Sequence, residues 1–170
     1  MRAPTPPSTE PTVNVVPART RAAAWLRGEP LHVPSHALVV HFPAALLPTS
    51  LLFDVAGRLD PGLELATAAA VLLGLGLAGG LVAAATGLLD WIEMLPGPRR
   101  SRVTRHMLVQ LGAVLAFGAS LLLRLGSPGE AAGVPSLVAS VIGLGILLVG
   151  DHLGGLLVYR DGMRVRSGGR

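Results

Sequence analysis

The chain has no cysteine, which excludes disulfides, thiolate metal sites and cysteine nucleophiles. Lysine is absent too, so all 14 basic residues are arginines. Aromatic residues make up only 4% of the 170 positions, too few for a base-stacking platform. Charged residues amount to 14%, well short of the roughly 25% of a typical soluble domain. There is no Walker loop, no GxSxG elbow and no HExxH, and nothing resembles a hydrolase. Gly74-Leu75-Gly76 lies inside an apolar run, where a dinucleotide-binding reading has no support. What fills the chain instead is apolar: 51% hydrophobic residues and a mean hydropathy of +0.59. The abundance of Arg, Ala, Gly and Leu is the composition of a GC-rich bacterial genome.

Residues 1–34 differ from the rest. Seven prolines punctuate them and no sustained apolar run occurs, so they are expected to form a disordered, proline-rich tail. Within it, residues 21–27 have the makings of a short interfacial helix that lays Trp25 and Leu26 on a membrane surface. The tail is too polar for a signal peptide. Four apolar segments follow, at about 35–57, 65–91, 103–123 and 135–159. Each is long enough to cross a hydrocarbon core of roughly 30 Å, which takes about 20 helical residues. Each is apolar nearly all round, whereas a water-soluble bundle needs a polar stripe on every helix. Pro/Gly clusters at 58–62, 96–100 and 126–130 stop the helices, and such short loops make neighbours antiparallel. The expected fold is therefore all-α, a polytopic transmembrane four-helix bundle over residues 35–166.

Arginine placement sets the orientation. Twelve arginines lie in the tail, the second loop and the C-terminus, against only Arg58 and Arg124 on the other side. Basic loops stay inside, which puts both termini in the cytoplasm of a bacterial inner membrane. The basic charge is thus a topology signal spread over three segments, not a nucleic-acid surface. Trp91 and Tyr159 read as interface belt residues and Arg124 as an anchor for the outer end of the third helix. Asp54 and Arg58, four apart, form an expected i, i+4 acid-then-base pair of structural role.

Histidines carry the chemistry. His32 belongs to the tail. His36, His41, His106 and His152 fall on three helices, and the topology brings all four to the cytoplasmic half. Asp90 and Asp151 lie at the same end, positioned to hold an imidazole N–H. Ionisable residues inside a membrane are expensive and read as functional by default. A neutral imidazole ligates haem iron or a transition-metal ion, and it also relays protons near neutral pH. His36 and His41 are five apart, about 140° around a helix, so ligand pairs must come from different helices. His41 and His152 match in depth as axial ligands for haem b, with His36 and His106 as a shallower pair. Electron transfer, with quinone or other membrane redox proteins as partners, is the corresponding activity. Two alternatives stand beside it: a membrane scaffold or accessory subunit with structural histidines, and a proton- or ion-conducting helper. Gly76, Gly80, Gly150 and Gly154 have the spacing of close helix packing, or leave room for a flat cofactor. No convincing internal repeat is evident, although the first and third helices run in the same direction.

The run Ser35-His36-Ala37-Leu38-Val39-Val40-His41-Phe42-Pro43-Ala44-Ala45-Leu46, with Phe53-Asp54 after it, resembles the opening of the bacterial domain of unknown function 2231 family. Gly87-Leu88-Leu89-Asp90-Trp91 is similar to that family's end of helix two. Arg105-His106 with Arg124 fits helix three, and the stretch 154–165 fits the end of helix four. The resemblance covers about residues 34–166. It departs in one place, where Ala37 stands for the proline that follows the family's first histidine. Ser35 can serve there as the helix cap. The resemblance implies a four-span membrane protein. Some relatives are joined to Rieske iron–sulfur domains, which adds redox chemistry to the expectation.

Overall fold

A computed structural model describes residues 35–126 and 129–162, together with Trp25 and Gly28. Apart from those two residues, the expected tail and interfacial helix lie outside the described region. The described residues are helical and contain no strand. The first span consists of α1 (Ser35–Val39) and α2 (His41–Leu59), the second is α3 (Ala66–Ile92), the third α4 (Pro98–Arg124) and the fourth α5 (Val134–Tyr159). All four spans have the length and apolar character to cross a membrane.

Local chemistry explains the boundaries. Pro43 has no N–H to offer the carbonyl of Val39, and the chain breaks between α1 and α2 at Val40. The break is slight, because Val40 N bonds His36 O at 3.1 Å and Ala44 N bonds Val40 O at 3.2 Å. Asp60 closes the turn after α2 by accepting from Gly62 N at 3.0 Å. The third span begins at Pro98, five residues before the expected start. A proline at the first helical position is favourable, so the cluster that ends α3 also starts α4. This first turn is anchored: Arg100 lies 4.1 Å over the Trp91 ring, whose Nε1 donates to Thr104 Oγ1 at 2.9 Å.

Packing is densest within two hairpins, α1/α2 with α3 and α4 with α5, and lighter where α3 meets α4 and α2 meets α5. The hairpins repeat one another. His36 Nδ1 donates to Ala83 O at 2.8 Å, and His106 Nδ1 donates to Gly150 O at 2.9 Å. A Cβ on Gly76 would lie 2.7 Å from Leu47 Cδ2, and one on Gly143 would lie 2.8 Å from Phe117 Cδ2. His36, Leu47, Ser50 and Asp54 thus correspond to His106, Phe117, Ser120 and Arg124, with 70 residues between the members of each pair, as between Asp54 and Arg124. Ala83, Gly87 and Gly76 correspond likewise to Gly150, Gly154 and Gly143, at an interval of 67 rather than 70 residues. One close approach is swapped between sides: Gly79 admits Phe42 in the first hairpin, and Gly112 faces Ile146 in the second. The two hairpins are therefore related by a quasi-two-fold axis along the bundle. Leu47, Leu73, Leu77, Ala113, Phe117 and Leu147 fill its middle.

Asp54 and Arg124 meet on that axis at one end of the bundle. Nη1 and Nη2 of Arg124 donate to Oδ1 and Oδ2 of Asp54 at 2.7 and 2.5 Å, a bidentate pair. The side chains are 9% (Arg124) and 1% (Asp54) exposed. Arg124 Nε also donates to Ser136 Oγ at 2.9 Å, and Ser120 bonds both Ser136 and Ser140. The expected Asp54–Arg58 pair is not formed. Asp54 faces the interior, where a carboxylate requires a buried cation, whereas the exposed Arg58 reaches the carbonyl of Ala132. Arg124 is accordingly a central strut between hairpins rather than an anchor at the rim.

Four outcomes follow for stability in detergent. Gly143→Ala forces a methyl against the fully buried Phe117 and should cost about 1–3 kcal/mol. Gly118→Ala, whose Cβ meets nothing within 4 Å, should not lower the unfolding midpoint. Asp54→Asn should cost about 3–5 kcal/mol by stranding a buried guanidinium. The exchange Asp54→Arg with Arg124→Asp should recover only part of that loss. At position 54 the arginine would find Ala69 and Leu73 in the places that Ser136 and Ser140 hold around Arg124.

Candidate functional site

The opposite end of the same axis carries two imidazoles. His36, on α1, and His106, on α4, are each half-buried. Each packs against a glycine of its partner helix. A Cβ on Gly87 would come 3.1 Å from His36 Cε1, and one on Gly154 would come 3.1 Å from His106 Cε1. Any larger residue at 87 or 154 would push the ring out. The glycine spacing on α3 and α5 thus serves close packing, since facing side chains occupy the room that these glycines leave.

The hydrogen bonds fix the chemistry of both rings. A backbone carbonyl only accepts, so Nδ1 is the donor in the bonds to Ala83 O and Gly150 O. In the neutral ring the lone pair then falls on Nε2, and no hydrogen bond among the described residues engages either Nε2. Thr86 Oγ1 sits 3.5 Å from His36 Nδ1 and donates to the carbonyls of Val82 and Ala83.

His41 and His152 belong to the same end but not to this pair. His41 is two residues before the buried Pro43, and His152 two residues after the buried Gly150. Two residues turn a helix by about 200°, so both rings lie on the outer surface, and both are exposed. His41 Nδ1 bonds the carbonyl of Leu38 on its own side of the chain at 3.1 Å. Asp151 is exposed as well and accepts from Gln110 Nε2 at 2.8 Å. Asp90 is half-buried near the end of α3. Among the described residues, no group of three or more His, Asp or Glu is arranged to hold a metal ion. Thr86 and Gln110 were not singled out by the sequence reading. The signal was present, since Gln110 is one helical turn beyond His106 and Thr86 one turn before Asp90.

Four apolar spans, a buried ion pair on the axis and paired histidines at one end define a four-span membrane protein built from two like hairpins. The chain belongs to the domain of unknown function 2231 family, described as a predicted membrane protein, whose sequence pattern matches residues 32–167. Comparison with curated proteins and with solved structures returns no match.

Proposed function

We propose that this protein holds a b-type haem at the histidine end of the bundle, that His36 and His106 would be its protein ligands, and that it transfers electrons. The observation that carries this reading is the matched hydrogen bonding of the two rings. Both are held by a backbone carbonyl at Nδ1, the arrangement that orients a histidine ligand and, in the neutral ring, leaves the lone pair on Nε2. The donor set favours haem over a bare ion. A structural or catalytic zinc needs three or four protein donors, whereas haem iron has four porphyrin nitrogens of its own. Bound there, haem would supply one-electron transfer at the membrane surface, toward quinone or another membrane redox protein.

The chain's own part is positional. Ala83 O and Gly150 O hold the Nδ1 protons, Gly87 and Gly154 let the rings lie close to the helices, and Leu47 and Phe117 keep water from the middle of the bundle. A structural reading has an observation of its own: the same two bonds tie α1 to α3 and α4 to α5 with no ligand. The two readings separate in the oxidised and reduced visible spectra of protein purified from haem-supplemented cells. We expect a reducible Soret band near one haem per chain. His36→Ala and His106→Ala should each abolish it, while His41→Ala and His152→Ala should retain it. Colourless, monodisperse protein, or a band that survives loss of both His36 and His106, would overturn the haem reading.

The same reading places the histidine end at the cytoplasmic face of a bacterial inner membrane. Its support is the arginine count, since basic segments are retained on the cytoplasmic side. A reporter fused after Arg170 should be active only as a cytoplasmic one. A periplasmic signal from that fusion would reverse the orientation.

A further inference from the structure

The quasi-symmetry provides an internal control for the outer surface. The outward face of α5 carries Val141, Gly145, Leu148, His152, Gly155 and Tyr159, which recur at helical spacing opposite the buried stripe. The corresponding residues of α3 are Gly74, Ala78, Leu81, Ala85, Leu88 and Ile92. Asp151 and His152 thus replace Ala84 and Ala85, and all four are exposed. The fold does not require a polar pair there, because the other hairpin packs in the same way with alanines. Yet His152 lies seven residues inside the end of α5, roughly 10 Å along the helix, on a surface that faces lipid. Ionisable groups at that depth are costly unless paired. Gln110 engages one oxygen of Asp151, and no hydrogen bond from the described residues reaches His152.

We propose that this face of α5 docks against α5 of a second copy of the chain. The charge pattern selects that occupant. Copies inserted in one membrane share an orientation, so a closed dimer has its axis along the membrane normal and sets residues of equal depth opposite one another. Asp151 and His152 are adjacent in sequence and differ in depth by only about 1.5 Å. The face is therefore self-complementary: Asp151 of each copy meets His152 of the other, and the pairing occurs twice. An imidazole and a carboxylate satisfy each other there without needing a group from outside the protein. Gly145 and Gly155 add room for approach, since a Cβ on either would meet nothing within this chain. The proposal is independent of haem binding.

A cysteine-free chain makes the test direct. Leu148→Cys and Leu81→Cys place single thiols at corresponding points on the two outer faces, for oxidative cross-linking in native membranes. Leu148→Cys should give dimer at least tenfold more efficiently than Leu81→Cys. In the Leu148→Cys background, His152→Asp faces acids with acids and Asp151→His faces imidazoles with imidazoles, so each alone should lose the dimer. Co-expressing the two variants with different tags should restore a mixed dimer, because each acid then meets an imidazole. Equal cross-linking at 81 and 148, none at 148, or cross-linking indifferent to both charge variants would overturn the proposal. The last of these would mean that Asp151 and His152 serve a different partner or none.

Discussion

The bidentate contact between Asp54 and Arg124 is the constraint on which the bundle depends. It joins α2 to α4, one helix from each hairpin, and the hairpins otherwise meet through lighter contacts than those within them. Neither residue tolerates the loss of the other, since both side chains are almost wholly removed from solvent. In a membrane there is little apolar driving force to bring helices together, because lipid is as apolar as leucine. Polar fixation and close packing must therefore supply the specificity. Ser120 and Ser136 complete the coordination of the guanidinium, and the bonds of Ser120 to Ser136 and Ser140 fix α5 beside α4 at the same point.

The second constraint is steric and repeated. Each hairpin lays one large core side chain, Leu47 or Phe117, into a glycine notch, and one imidazole against another. The requirement is for the absence of a Cβ at four points, Gly76, Gly87, Gly143 and Gly154. Larger residues there would separate the helices and move the rings that the site needs. Fold and site are thus built by the same contacts, with the hydrophobic middle between a charged end and an imidazole end.

Much of this was legible in the sequence. The four spans follow from length and hydropathy, because a bilayer imposes both. The gathering of the histidines at one end follows from topology alone. Depth does not reveal azimuth, however, and that is why His41 and His152 matched on paper while the structure brings His36 and His106 to the axis. The five-residue spacing in the first span already separated His36 from His41, but choosing between them required knowing which side faces the bundle. Asp54 and Arg58 illustrate the same limit: four residues apart is a surface rule, and Asp54 is on the inner face. The repeat is faint in the sequence because many of its counterparts share roles rather than residues. Leucine answers phenylalanine, an acid answers a base, and the glycine of one contact changes sides. The constant interval linking His36 to His106 and Ser50 to Ser120 was its one plain mark.

That interval also bears on how such a molecule can arise. In a dimer of identical hairpins, any residue on the two-fold axis faces its own duplicate, so a carboxylate would confront a carboxylate and a guanidinium a guanidinium. No single hairpin sequence can place both signs there. Two unlike hairpins, here joined in one chain, let position 54 be an acid while its counterpart at 124 is a base. The ion pair thus commits each half to the other: neither hairpin, paired with itself, could neutralise its own charge.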